Sequence, residues 1–376
     1  MQPKAARNIA IEALRLIAVA GIAVFHTFQW TFQATCVGLP EYAPLAAFPY
    51  SGVLGFINLL GCWANEVFFM ISGYFLIASA ARAWDGGTTW KSQMQRTSQR
   101  LGKVVMPTAL YCLVALAWST VVSPIPDVTL NTHYWYTLGL EFIWVYAATV
   151  FMAPWFGLAK CRLSQKSYTT TVIAVGILAF VVNGYLAAMS ATSAGEFSWL
   201  QKLMSAATYV IAFLIGGLLR DVTDAVDSDR AGALGMRSLA AVLALATILE
   251  GALSFTGNLT AMAVLSYKST SLISFALAAA SLLFSATRRS ASGNPRTAGV
   301  IVTLSTATLG FYVMQSLTSS LWRPVFNTLL ANMLVSQNSP AAICIITGTV
   351  ISIVFALALL IIDAARSLIV RKLKRQ

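Results

Sequence analysis

Residues 9–28 read IAIEALRLIAVAGIAVFHTF, twenty positions in which only Glu12, Arg15, His26 and Thr27 are polar. Twenty mainly apolar residues match the length a helix needs to cross a hydrocarbon core. The run does not alternate with a period of two, as a barrel strand would, so its backbone groups have to be satisfied within a helix. No small-residue cleavage site follows, and three ionisable residues interrupt the run, so it reads as a permanent span and not as a removable signal.

The same reading extends outward. Comparable windows recur near Phe56–Ala78, Val104–Val121, Trp135–Trp155, Tyr168–Met189 and Leu203–Leu219, and again near Leu239–Leu253, Thr270–Ala286, Val300–Leu321 and Ala342–Ile362. The 376 residues are 58% hydrophobic and only 10% charged, whereas a soluble domain carries roughly a quarter charged residues. The pattern predicts an all-α integral membrane protein, a bundle of about ten transmembrane helices forming a single domain over residues 1–376 with no appended soluble domain.

A net charge of +12 invites a nucleic-acid partner until the charges are located. Of 25 Lys and Arg, 21 fall at the N-terminus, after the second, fourth, sixth and eighth spans, and at the C-terminal end. Lys202, Lys268 and Arg323 collect on the opposite side, and Arg15 lies within a span. This asymmetry is the positive-inside pattern with both termini cytoplasmic, and it excludes a nucleic-acid function. The bilayer is the partner that the basicity serves. Five cysteines show no metal-ligand spacing, and no metal is expected. Cys36 and Cys62 both fall near the outer face, where a disulfide is one reading and free thiols the plainer one. No internal repeat is evident, which counts mildly against an inverted-repeat transporter.

Ionisable residues at membrane depth are costly and call for a reason. Here they are Glu12, Arg15, His26, Glu66, Glu141 and Glu250, with Asp363 at a helix end. A helix turns about 100° per residue, so Arg15 and His26 return to within roughly 20° of each other and stand some 16 Å apart along the axis. Glu12 precedes Arg15 by three residues on the same stripe, within pairing distance. Geometry leaves two readings level. One is a Glu12–Arg15 pair that fixes packing, with an interfacial His26. The other is a site in which His26 is a general base and Arg15 holds an anionic group. Arg96, Arg100 and Lys103 share a helical face before Pro107 and suit the phosphates of a nucleotide-like cofactor, though positive-inside bias also accounts for them. His133, the one other histidine, opens the fourth span beside Tyr134, Trp135 and Tyr136, aromatics of a kind that anchor interfaces.

Taken in order, these landmarks resemble the acyltransferase-3 family of bacterial polytopic membrane O-acyltransferases. Glu12-Ala-Leu-Arg15 with His26 looks like the family's first-helix signature, an acidic residue, then a basic residue followed after ten positions by His. Phe68-Phe69-Met70-Ile71-Ser72-Gly73-Tyr74 resembles the second-helix signature, and Arg96, Arg100, Lys103 and Pro107 the third. His133-Tyr134-Trp135 is similar to the opening of the next helix, Tyr209 to Arg220 to an aromatic helix ending in Arg, and Ser305 to Leu317 to a late Gly-x-Tyr helix. Departures are Glu12 where the family usually has Asp and Gln315 where His often ends the late motif; Glu141 stands near a frequently found Glu.

The resemblance implies transfer of an acyl group, usually acetyl, from cytoplasmic acyl-CoA to a hydroxyl of a surface or lipid-linked glycan, in a bacterial inner membrane. It implies Glu12, Arg15 and His26 as catalytic, Arg96, Arg100, Lys103 and Ser72 as contacts to the CoA donor, and His133, Trp135 and Glu141 as contacts to the acceptor. His26 acts either on the attacking hydroxyl directly or in a covalent relay. A homo-oligomer is compatible with this reading. A transporter or flippase is the alternative, on the strength of intramembrane charges and many spans, and an inactive interaction protein is a third for which Gln315 is the one hint.

Overall fold

The computed structural model describes residues 7–129, 140–192, 198–226, 228–266, 271–288, 294–336 and 340–373. Among them no strand occurs, and the fourteen α-helices run as follows. The first five are α1 (Ile9–Cys36), α2 (Ala43–Ala46), α3 (Tyr50–Asp85), α4 (Trp90–Val121) and α5 (Glu141–Arg162). Next come α6 (Gln165–Thr192), α7 (Ser198–Ala225), α8 (Ser228–Phe255), α9 (Leu259–Leu265) and α10 (Leu272–Thr287). The chain closes with α11 (Pro295–Ser305), α12 (Thr308–Leu317), α13 (Ser319–Ser336) and α14 (Pro340–Leu373).

Within the described residues the ten apolar windows fall largely on helices, but they are not alike. Eight helices are long and apolar enough to cross a membrane unaided. Helices α11 and α12 meet the same standard only when taken together as a ninth, broken crossing, bent by 42° at Thr306–Ala307. The tenth, α10, has only 16 residues, roughly 24 Å of helix against a core of about 30 Å, and is almost wholly wrapped by neighbours. The predicted span Val300–Leu321 therefore merges α11, α12 and the start of α13. The break has no Pro or Gly to announce it, so the apolar pattern runs across it unbroken.

Helix α1 begins where Asn8 caps it, accepting from the Ala10 and Ile11 amides at 2.9 and 3.3 Å. The same side chain donates to the carbonyls of Ser285 and Ala286, tying the start of α1 to the end of α10. Helix α3, 36 residues long, is the axis of the bundle and packs on α1, α5, α7, α8 and α10. Its contact with α7 is set by small residues. A Cβ on Gly73 would overlap the Phe213 carbonyl, and one on Gly216 the Met70 carbonyl, so the two backbones touch reciprocally. Arg7 and Ser367 line one small cavity, which places the start of α1 and the end of α14 at the same end of the bundle.

The main core gathers Ile22, Trp63, Phe69, Met70, Phe213 and Phe311. A second cluster at the carboxyl-terminal end of α1 packs Phe28, Phe32, Tyr42 and Leu45 against Leu330 and Leu334 of α13. Outward faces carry exposed apolar residues, among them Met106, Leu113, Ile177, Ile248 and Ile361. That is the surface hydrocarbon requires and water penalises. No disulfide joins Cys36 to Cys62.

Candidate active site

The polar stripe of α1 is divided between two places. At the amino-terminal end Glu12, 6% exposed, accepts from Arg15 Nη1 at 2.9 Å and from the Ser305 hydroxyl at 2.7 Å, both on Oε2. Arg7 stands 3.8 Å from the other oxygen. Ser305 is the last residue of α11, so the broken crossing is pinned to α1 at its break. Irregular backbone at membrane depth is tolerated where it lines a cavity, and it does so here.

That cavity, about 390 Å³, is lined by Arg15 and Ile22 of α1, Phe68 and Ser72 of α3, Lys103 and Val104 of α4, Phe142, Ile143 and Tyr146 of α5, and residues from Ser305 to Tyr312 around the break. Ser72 donates to the Phe68 carbonyl at 2.9 Å, leaving its oxygen to accept from Tyr146 at 3.0 Å. The neighbouring Gly73 is the position that lets α7 approach, so the Ser-Gly pair has two jobs on two faces of one helix. Phe68, Phe142, Tyr146, Phe311 and Tyr312 form the aromatic wall, with Phe142 and Tyr312 meeting at 4.6 Å between centroids, and behind it Phe69 stacks on Tyr209 at 4.6 Å. The result is a mainly apolar slot whose lining includes a guanidinium, an ammonium and hydroxyls. It suits a long, mostly apolar chain with anionic groups at one end.

At the carboxyl-terminal end of α1, His26 lies outside this cavity. Its Nδ1 is 3.1 Å from Oε1 of Gln315 on α12. An amide oxygen only accepts, so Nδ1 carries the proton in this pairing and Nε2 keeps its lone pair. Gln315 is held by its own backbone, whose oxygen accepts from the Trp322 indole at 3.0 Å. Phe25 flanks the imidazole at 5.2 Å between centroids.

The structure thus brings Arg15, Ser72 and Lys103 to one cavity, with Glu12 behind Arg15, and sets His26 apart from them. Arg96 is exposed and does not line the cavity, and Arg100 is turned toward Ser79 at 3.5 Å. Of the three basic residues on this face of α4, Lys103 alone lines the cavity. Glu141 begins α5 and is exposed. His133 and Trp135 lie outside the described residues. Three residues the sequence reading left without a role are Ser305, Tyr146 and Gln315. The first and last lie within the late-helix motif, but their partners Glu12 and His26 are about 290 positions away. Glu66 and Glu250, noted as intramembrane acids, are buried with no hydrogen-bond partner on either oxygen. Among the described residues no group of His, Cys, Asp and Glu is arranged to hold a metal.

The model of the acyltransferase-3 family, described as an acyltransferase domain, matches residues 8–359. The chain belongs to that family. The match runs from the Asn8 cap through most of α14, so it takes in both the Arg15 cavity and the His26–Gln315 pair. No curated protein matches the chain, and neither does any solved structure. Membership makes this a multi-pass membrane acyltransferase and weighs against the transporter reading.

Proposed function

We propose that this acyltransferase-3 member moves an acyl group, acetyl by preference, from acyl-CoA to a hydroxyl of a surface or lipid-linked glycan at a bacterial inner membrane. The observation that carries the reading is the division of α1 into an open cavity with Arg15 and Lys103 on its lining and, some 16 Å further along the axis, a histidine with one lone pair free. A donor with phosphates at one end and a thioester at the other fits such a run. The basic rim takes charge, the aromatic wall takes the pantetheine arm, and the acyl end points toward His26. The positive-inside pattern then orients the cavity mouth to the cytoplasm and His26 to the acceptor side.

In this reading Nε2 of His26 removes the proton as the acceptor oxygen attacks the thioester carbonyl. The carbon–sulfur bond breaks, the thiolate departs with the CoA, and the proton held on His26 returns to it or to solvent. Gln315 keeps the Nδ1–H in place throughout. Arg15, paired with Glu12, offers its remaining N–H groups to the donor from a fixed position.

Purified protein in lipid, given labelled acetyl-CoA and a glycan fraction from its source cells, is expected to transfer label. His26→Ala is expected to stop it. Undiminished transfer by that variant would remove His26 from the mechanism, and absence of transfer by the wild type to any glycan fraction would count against the acceptor class.

A further inference from the structure

The His26 end of α1 holds hydrogen-bonding capacity that proton removal does not use. Gln315 is 1% exposed, and its Nε2 is buried without a partner although its Oε1 engages His26. Arg323, on α13, is likewise buried at Nε without a partner. Among the described residues the ion pairs take up Arg7, Arg15, Lys160, Arg220 and Arg366, and no carboxylate stands at Arg323. Its guanidinium lies 5.5 Å from the Trp322 ring centre. Trp322 is the residue that binds the Gln315 backbone, so the elbow between α12 and α13 links Gln315, which holds the histidine, to the Arg323 that packs on Trp322.

A buried donor without an acceptor costs about 1–3 kcal/mol, and more when it belongs to a cation. Packing on Trp322 engages the face of the guanidinium and leaves its Nε–H unmet. Water satisfies a neutral amide, but it brings no counter-charge to a guanidinium. The missing group has acceptor oxygens and a negative charge.

We infer that Gln315 and Arg323 form a recognition site for an anionic group, a carboxylate or a phosphate, carried on the acceptor next to the hydroxyl that His26 deprotonates. The inference rests on the acyltransferase reading proposed above and narrows its acceptor to charged sugars. One oxygen of the anion accepts from the Gln315 amide and another from the Arg323 edge, which fixes the sugar relative to Nε2. The anion also offsets the repulsion between Arg323 and the imidazolium formed as His26 takes its proton.

The test uses source cells that lack the chain, with wild type, Arg323→Gln, Arg323→Lys or Gln315→Leu restored at equal membrane levels, and mass analysis of surface glycans. Acyl groups that depend on the chain are expected on sugars bearing a carboxylate or phosphate, or on their direct neighbours, and the spectra tell the two anions apart. Arg323→Gln is expected to lower acylation tenfold or more, Arg323→Lys to restore most of it, and Gln315→Leu to lower it at least tenfold. Rescue by lysine separates charge recognition from packing. Acyl groups confined to neutral sugars, or full acylation by Arg323→Gln, would overturn the inference and leave the enzyme reading standing. Should Arg323→Gln fail to reach the membrane, the identity of the sugar acylated by wild type decides. If no glycan acylation depends on the chain, the acyltransferase reading fails and takes this inference with it.

Discussion

The two ends of α1 handle buried polarity in opposite ways. At the amino-terminal end every charge in the stripe is answered: Glu12 binds Arg15, Ser305 and, more loosely, Arg7. At the carboxyl-terminal end His26 has one partner, and Gln315 and Arg323 keep unmet donors. A closed set of pairs holds helices in place, since removing one member strands the other in low dielectric. An open set costs stability and is retained where a ligand completes it. The contrast teaches that one stripe, uniform in sequence, has a half whose charges are paired and a half that leaves donors open.

The sharpest way to break the comparison is at His26. His26→Ala is expected to lower transfer by roughly 10²–10⁴-fold, the usual range for a general base, with little change in thermal stability. Loss of stability equal to that at the other end would show that His26 is a packing residue.

Arg15→Ala should have the opposite profile. It leaves the Glu12 carboxylate buried with Ser305 as its main partner, and a fall of about 2–3 kcal/mol is expected from a pair that is partly open on the Arg15 side. Glu12→Gln with Arg15→Gln together is expected to recover part of that loss, measured by melting in detergent, while donor affinity stays poor. Additive losses in the double variant would mean that the two residues are not coupled.

Gln315→Leu removes the acceptor that orients Nδ1–H and is expected to reduce kcat at least tenfold while donor KM holds. Gln315→His, which offers a ring nitrogen as acceptor, should retain more activity than Gln315→Leu. Equal activities would detach Gln315 from the imidazole.

The smallest expected effects separate residues that the basic cluster lumps together. Lys103→Ala should raise the KM for acyl-CoA several-fold, because Lys103 lines the cavity. Arg96→Ala should change it less than twofold, because Arg96 faces outward. Ser72→Ala loses the neutral hydrogen bonds to Tyr146 and the Phe68 carbonyl, each worth about 1 kcal/mol, and is expected to shift KM alone. A reversal of Lys103 and Arg96 would show that the donor approaches along the outer face of α4.

Much of the architecture was readable in advance because the bilayer is a simple solvent. It asks for helices of a set length and places cations at their ends, and both demands are written locally. The Glu12–Arg15 pair was readable for the same reason, since residues three apart on a helix are neighbours by geometry alone. Ser72 and Lys103 were named from ordered motifs, and the cavity brings both to Arg15.

The chain by itself, then, determined a helical membrane bundle, the stripe on α1, its internal pairing and its likeness to one family. Only the tertiary structure decided that the crossing near residue 306 is broken, that Ser305 closes on Glu12 across α1, and that Gln315 holds His26 while Arg323, among the described residues, forms no ion pair. The physical reason is separation. The stripe follows from the turn of one helix, whereas the partners that divide it into two halves come from helices nearly three hundred residues away, and packing alone brings those to α1.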